Sequence, residues 1–304
     1  MSNSAHNRVG SERAARRSLW PGRAGHGFVA LYVALLIAFG VVPTGYAIYF
    51  AFTNGDTTFA GFSNFADAAA DFRFLPAVEH VALYLLFWLV SLVVIVVGLA
   101  LLLQRLVSNG LSTTLRFLFY IPGALAGAAS VMVWLFILDP TVSPVAFLLR
   151  ALGMDTFGQV VAPGGLPILF TLIAFWTGAG GWILVMYGAL NNISPDILEA
   201  ARIDGAGPWQ TARRIQVPML RKWIIYMTIL AFAGGTQLFV EPQLLAQASV
   251  GVAGRDYSLN QLSYDFAFQN NNVNTAAAVS VELLLLGLVV AAVFVARSGF
   301  FDAD

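Results

Sequence analysis

The chain contains no cysteine, which excludes disulfides, thiolate zinc sites and cysteine nucleophiles. It has a single lysine, Lys222, in the run LRKWI. A phosphate-cradling loop of the form G-x-x-x-x-G-K-[ST] needs a lysine behind glycines, so that kind of ATP site is excluded. The three histidines, His6, His26 and His80, are scattered, and no metal site is expected. No nucleophile stands beside a base, so no catalytic residue is assigned and the chain is not expected to be an enzyme. Charge is scarce as well. Only 11% of the 304 residues are charged, against roughly 25% in soluble domains. The net formal charge is zero, which leaves no bulk attraction to nucleic acid.

What is present is apolar sequence, 59% of the chain. A membrane-spanning helix needs about 20 mostly apolar residues. Six runs qualify: Phe28 to Phe50, Val81 to Leu103, Phe117 to Leu138, Leu166 to Leu190, Trp223 to Val240 and Ala276 to Ala296. The expected fold is an all-α membrane bundle of about six helices. Pro43 and Pro122 fall inside spans and are expected to kink them. Residues 1–27 read as a disordered basic tail, 28–297 as one transmembrane domain and 298–304 as a second tail. Thirteen of the sixteen basic residues fall on one side of this topology. Only Arg73, Arg150 and Arg255 fall on the other. The positive-inside rule then places both termini in the cytoplasm.

One polar stretch interrupts the apolar runs, Ser194 to Leu220, before the fifth span. Ser194 is an expected N-cap and Pro195 suits the first helical position. Asp196 and Glu199 favour the positive end of the helix dipole. Gly205 supplies a residue for a left-handed turn. Pro208 is expected to start a second short helix through about Gln216, with Pro218 stopping it. This reads as two helices and a glycine turn that grip another protein.

Within that stretch, EAARIDGAGPWQTARRIQVP resembles the EAA loop of ABC importer permeases, and its wording is similar to the maltose-type carbohydrate branch. FAGFSNF, FLFYIPGALAGAASVMVWLFILDP and YDFAFQNNNVNTAAAVSVELLLL resemble other parts of that branch. The likeness runs from about Phe28 to Ala296. It implies a MetI-like type I importer fold with a cytoplasmic coupling helix before the fifth span. It also implies a permease subunit of the bacterial inner membrane, working by alternating access on a carbohydrate. The implied partners are a second related permease, a dimer of cytoplasmic ABC ATPases and an external substrate-binding protein. ATP and magnesium would be bound by the ATPases. Ala212 stands where many relatives have phenylalanine, and Arg221-Lys222-Trp223 departs from a usual proline.

The resemblance assigns ATPase coupling to Glu199, Ala200, Ala201, Asp204 and Gly205. Ala200 and Ala201 would let the helix sit deep in a groove, and Asp204 would bond nearby backbone to fix the turn. It also puts Ala231, Gly234, Gly235 and Leu238 in the stretch that lines the substrate cavity. From the residues alone, Gln237 and Glu241 lie at the outer end of the fifth span. Glu282 is the one carboxylate well inside a span, where ionisable groups are costly and usually functional. For Gly234, Gly235 and Glu282, helix packing is an equal alternative. Trp134, Trp176 and Trp182 are expected to pack or anchor rather than stack on sugar. A glycerophosphodiester or polyol remains open as solute. A lone ion-coupled transporter is a weaker alternative, since no inverted repeat is seen.

Overall fold

The computed structural model describes residues 22–105, 109–125 and 127–298. Most of the expected N-terminal tail and nearly all of the C-terminal one lie outside these residues. Among the described residues the chain is helical, with no strand beyond one isolated bridge, Thr53 to Phe59. The chain divides into two compact units, Met1–Tyr49 and Phe50–Asp304.

The first unit carries most of the first apolar helix, α1 (Val29–Ala51). Its helical run already begins at Gly22, ahead of the expected start at Phe28. Val29, Tyr32 and Phe39 are exposed. Pro43 sits just after a wide helical turn, Ile37–Val41.

The second unit carries the other elements. They are α2 (Ser63–Ala70), α3 (Phe74–Arg105), α4 (Asn109–Tyr120), α5 (Gly127–Leu138), α6 (Ala146–Ala151) and α7 (Phe157–Val160). Next come α8 (Pro163–Asn191), α9 (Pro195–Ile203), α10 (Pro208–Met219) and α11 (Arg221–Gly235). The series ends with α12 (Val240–Ala248), α13 (Leu259–Phe268) and α14 (Val273–Ser298). Four helices (α1, α3, α8 and α14) are long and apolar enough to cross a membrane. Among the described residues two bent pairs, α4 with α5 and α10 with α11, bring the number up to six if each pair is one span.

α3 and α8 build the core. Trp88, Leu92, Val96 and Ala100 are buried along one face of α3. A spacing of four drifts by about 40° per step on a regular helix. A wide turn over Leu92–Val96 takes up that drift and keeps the stripe on one face. Phe170, Ile173, Ile183, Met186 and Leu190 of α8 meet it. The opposite faces are just as apolar: Leu86, Val90 and Val94 of α3 are exposed, as are Ile168 and Leu172 of α8. A helix apolar all round with one face uncovered suits lipid, not water.

The proline in the third span does more than kink it. Ile121–Ala124 form a tight turn between α4 and α5, and the two helices are sharply bent there. This turn lies backbone-on-helix against α8. A Cβ on Gly180 would collide with the Phe119 carbonyl oxygen at the end of α4. One on Gly123 would come to 2.9 Å from the Thr177 carbonyl. The fifth span is shorter than expected. It ends at Gly235 rather than Val240, where Thr236 donates its hydroxyl to Ala233 at 2.9 Å. Two successive glycines weaken the last turn, and the chain restarts as α12.

Where α1 stops, two asparagines donate to its last backbone carbonyls and to the one just beyond. Asn64 donates to Ala51 and Thr53 at 3.0 and 2.9 Å. Asn274 of α14 donates to Phe50 and Thr53 at 3.0 and 2.6 Å. Phe52, Phe62 and Phe65 cluster around them. Nearby, Arg73 makes a two-pronged pair with Asp71, both contacts at 2.9 Å, and reaches Asp265 of α13 at 3.6 Å. The guanidinium also lies over the Phe266 ring.

Two outcomes are expected. Gly180→Ala should prevent recovery of folded, monodisperse protein on gel filtration, because overpacking against backbone costs about 1–3 kcal/mol or more. Gly181→Ala, which meets open space, should behave as wild type. The Arg73 hydrogen bond holds the Asp71 carboxyl below its ordinary range. Its stabilisation is present above the unfolded value and is lost as pH falls through the folded one. Burial raises the Asp265 carboxyl, a contribution of opposite sign that is lost as pH rises. Asp71→Asn should therefore lower the melting temperature at neutral pH and flatten its fall on the acid side.

Candidate coupling loop and pathway face

The loop is set first by its backbone. Pro195 occupies the first turn of α9 as expected. Ser194 does not cap through its side chain; its carbonyl accepts the Ile197 N–H at 3.2 Å instead. At the other end Gly205 has φ of +80°. Ala206 donates its N–H to Ala201 at 2.9 Å and Gly205 donates to Arg202 at 3.0 Å. These two bonds are a Schellman closure. Asp204, expected to fix the turn, is exposed and its carboxylate takes no hydrogen bond. Backbone does that work.

The second helix runs further than expected. It starts at Pro208, where Gln210 accepts the Gly207 N–H at 3.0 Å. It continues through a wide turn, Ala212–Gln216, past Pro218 to Met219. A regular helix would drive the proline ring into the carbonyl four residues back. The wide turn just ahead of it opens that space. The chain then bends by 65° into α11.

Distant residues fix the loop's attitude. Gln104, near the end of α3, donates to the Leu190 carbonyl of α8 at 3.1 Å. Its oxygen accepts from Gln216 at 2.6 Å. Gln216 is only 4% exposed. Arg105 donates to the Pro208 carbonyl. None of these contacts is written into the loop's own sequence; the signal was a lone glutamine and arginine ending an apolar run.

α9 thereby has an inner and an outer side. Ala201 is buried inside the chain itself, so it is not available to a partner groove, contrary to expectation. Glu199, Ala200 and Asp204 are exposed. Beside them Ile203 is 86% and Trp209 74% exposed. This apolar tip flanks the Gly205 turn and was missed in the sequence. Two large apolar side chains thus stand exposed on an otherwise polar loop.

The pathway candidates separate into two groups. Ala231 and Leu238 are buried in the core. Gly235 is a packing glycine, since a Cβ there would come to 2.5 Å from Leu85 and 3.4 Å from Trp88. Gly234 faces open space. Gln237 is exposed and links two adjoining hollows of about 350 and 470 Å³. Both also include Asn260 of α13. Around them stand Phe239, Tyr264 and Phe268, with Tyr264–Phe268 ring centres 4.8 Å apart. The result is an open face of amides and aromatic rings. Asn260, Tyr264 and Phe268 were not singled out in the sequence. The signal was the run YDFAFQNN.

Glu241 begins α12 rather than ending the fifth span, and burial raises its carboxyl above the ordinary range. Glu282 lies inside α14, half-buried, with Oε2 enclosed and lacking a hydrogen-bond partner. It does not line either hollow. Trp134 packs edge-on to Trp176 at 5.7 Å, and Trp182 edge-on to Tyr226 at 5.9 Å. These tryptophans are packing residues. Among the described residues no group of three or more His, Cys, Asp or Glu side chains could hold a metal.

Known proteins resemble this chain in sequence and in fold. The chain is 26% identical over 294 residues to the diacetylchitobiose uptake system permease protein NgcF of Streptomyces coelicolor, covering 87% of this chain and 79% of that one. It is 25% identical over 292 residues to the sn-glycerol-3-phosphate transport system permease protein UgpA of Escherichia coli, covering 94% and 96%. A bacterial alginate ABC transporter, crystallised in complex with an alginate pentasaccharide-bound periplasmic protein, contains a chain of the same fold. The TM-score is 0.77 at 19% identity, over 90% of this chain and 92% of that one. Residues 93–298 match the family described as binding-protein-dependent transport system inner membrane component, and the chain belongs to that family.

Proposed function

We propose that this chain forms half of a carbohydrate pathway in an ATP-driven importer, with a second related permease as the other half. Residues 28–297 form the permease domain, with 194–220 as its coupling loop. The carrying observation is the loop itself, closed at Gly205, braced from α3 and α8, and presenting Glu199, Ala200, Ile203 and Trp209 outward. That surface suits a groove on a cytoplasmic ATPase dimer, which would bind the ATP and magnesium. Glu199 is placed to accept a charge-assisted hydrogen bond there. Ile203 and Trp209 supply apolar contact.

The basic residues support a cytoplasmic position for this loop and both termini. Arg105, tied to Pro208, and Arg116, over the Tyr187 ring, belong to the loop end of the second unit. Arg73 reaches the opposite end of α3 and the Asp265 cluster. An external binding protein would deliver solute at that Arg73 end. ATP binding to the partners then shifts the bundle between inward and outward forms, through different affinities for the two states.

The open face of α11 and α13 supports a carbohydrate. Gln237 and Asn260 offer amide donors and acceptors to hydroxyls, and Tyr264 and Phe268 offer flat apolar surfaces to sugar rings. The sugar names among the relatives point the same way. A glycerol phosphate ester is the second reading, favoured by the glycerol-3-phosphate relative.

Gly205→Asp puts a side chain at a left-handed φ, at a cost of roughly 1–2 kcal/mol. Uptake should fall at least tenfold in whole cells, while membrane levels of the protein stay normal. Normal uptake would refute the coupling role. Separately, Gln237→Ala with Tyr264→Ala should weaken uptake of a labelled oligosaccharide without altering ATPase coupling. Unchanged uptake across a panel of sugars would remove this face from the pathway.

A further inference from the structure

A third hollow lies between the coupling loop and the end of α3. Its volume is about 470 Å³, within the roughly 300–1,000 Å³ of small-molecule sites. Arg105, Arg202, Gln104, Gln216, Thr211 and Leu198 line it. No carboxylate is among the lining residues. Among the described residues the ion pairs formed by arginine involve Arg73 alone, so Arg105 and Arg202 have no acidic partner. Arg105 spends a donor on the Pro208 carbonyl, and a guanidinium has five. Gln104 and Gln216 are held by each other and by Leu190, which gives the hollow a fixed polar floor.

We propose that this hollow is a binding site for a phosphate-bearing anion. Two guanidinium groups on separate elements converge on one space, and planar forks of this kind suit phosphate oxygens. Thr211 adds a hydroxyl, and Leu198 with Pro208 adds an apolar wall for the carbon part of a phosphate ester. The position suggests how the anion arrives. Arg105 follows directly on the apolar run of α3 that closes at Leu103, the level at which a span is expected to leave the hydrocarbon. A phospholipid headgroup is within reach there, and so is a soluble phosphate ester. Either would bridge Arg105 of α3 to Arg202 of α9 and so stiffen the loop against the bundle. Occupancy then sets how firmly the loop follows α3, a control separate from the ATPase surface.

The test uses the full-length chain, delipidated in neutral detergent and examined by native mass spectrometry and thermal melting. One arm titrates phosphatidylglycerol against phosphatidylcholine. The other titrates glycerol phosphate against glycerol. A bound adduct and raised melting temperature in the first arm only identify the lipid headgroup. The same result in the second arm identifies a soluble ester. Arg105→Gln and Arg202→Gln should each weaken binding roughly tenfold. Ala206→Met, which fills the hollow without changing charge, should abolish it. Arg214→Gln, on an exposed arginine of the same loop outside the hollow, should leave it unchanged. No adduct in either arm, or equal loss in Arg214→Gln, overturns the proposal.

Discussion

One side-chain amide holds the moving parts of this chain in register. Gln104 donates to the Leu190 carbonyl and accepts from Gln216, so α3, α8 and the second helix of the loop share a single hydrogen-bonded node. The node is sheltered, and a sheltered amide left without partners is costly. The loop therefore cannot swing freely on its two connections. It tilts only if α3 and α8 tilt with it, and those two helices are the core.

That core is stiff where it must be. The Gly180 contact brings the end of α4 onto α8 with no room for a side chain, and Gly235 brings α11 onto Leu85 and Trp88 of α3. Both are contacts of backbone with a neighbour, the close approach that small residues allow where lipid offers no hydrophobic drive between helices. The open face of Gln237, Asn260 and Tyr264 lies just beyond the Gly235 crossing. The same pair of glycines thus has two jobs: Gly235 packs, and Gly234 leaves the neighbouring surface open.

The sequence was most legible where structure is punctuated locally. Pro195, Gly205 and Pro208 marked the loop because proline and glycine act on their own backbone. The apolar runs gave the membrane spans because burial in lipid needs only length and hydropathy. Errors arose where a distant contact decides. Ala201 turns inward because Gln104 and Arg105, about a hundred positions away, fix the loop's rotation. Pro218 fails to end its helix because a wide turn precedes it. Ala231 and Leu238 looked like pathway residues, yet both are buried in the core. Asn260 and Tyr264 went unseen because their run mixes polar, apolar and aromatic residues, and which of them stay open is set by neighbouring helices rather than by the run itself.

The wide turn in α3 has a wider meaning. At Leu92–Val96 one surplus residue is stored inside a helix that is otherwise regular. The surplus residue offsets the helix beyond it by about 100° from the face a regular helix would present. The half that carries Gln104 and Arg105 is therefore turned relative to the half that starts at Phe74, while the backbone stays continuous.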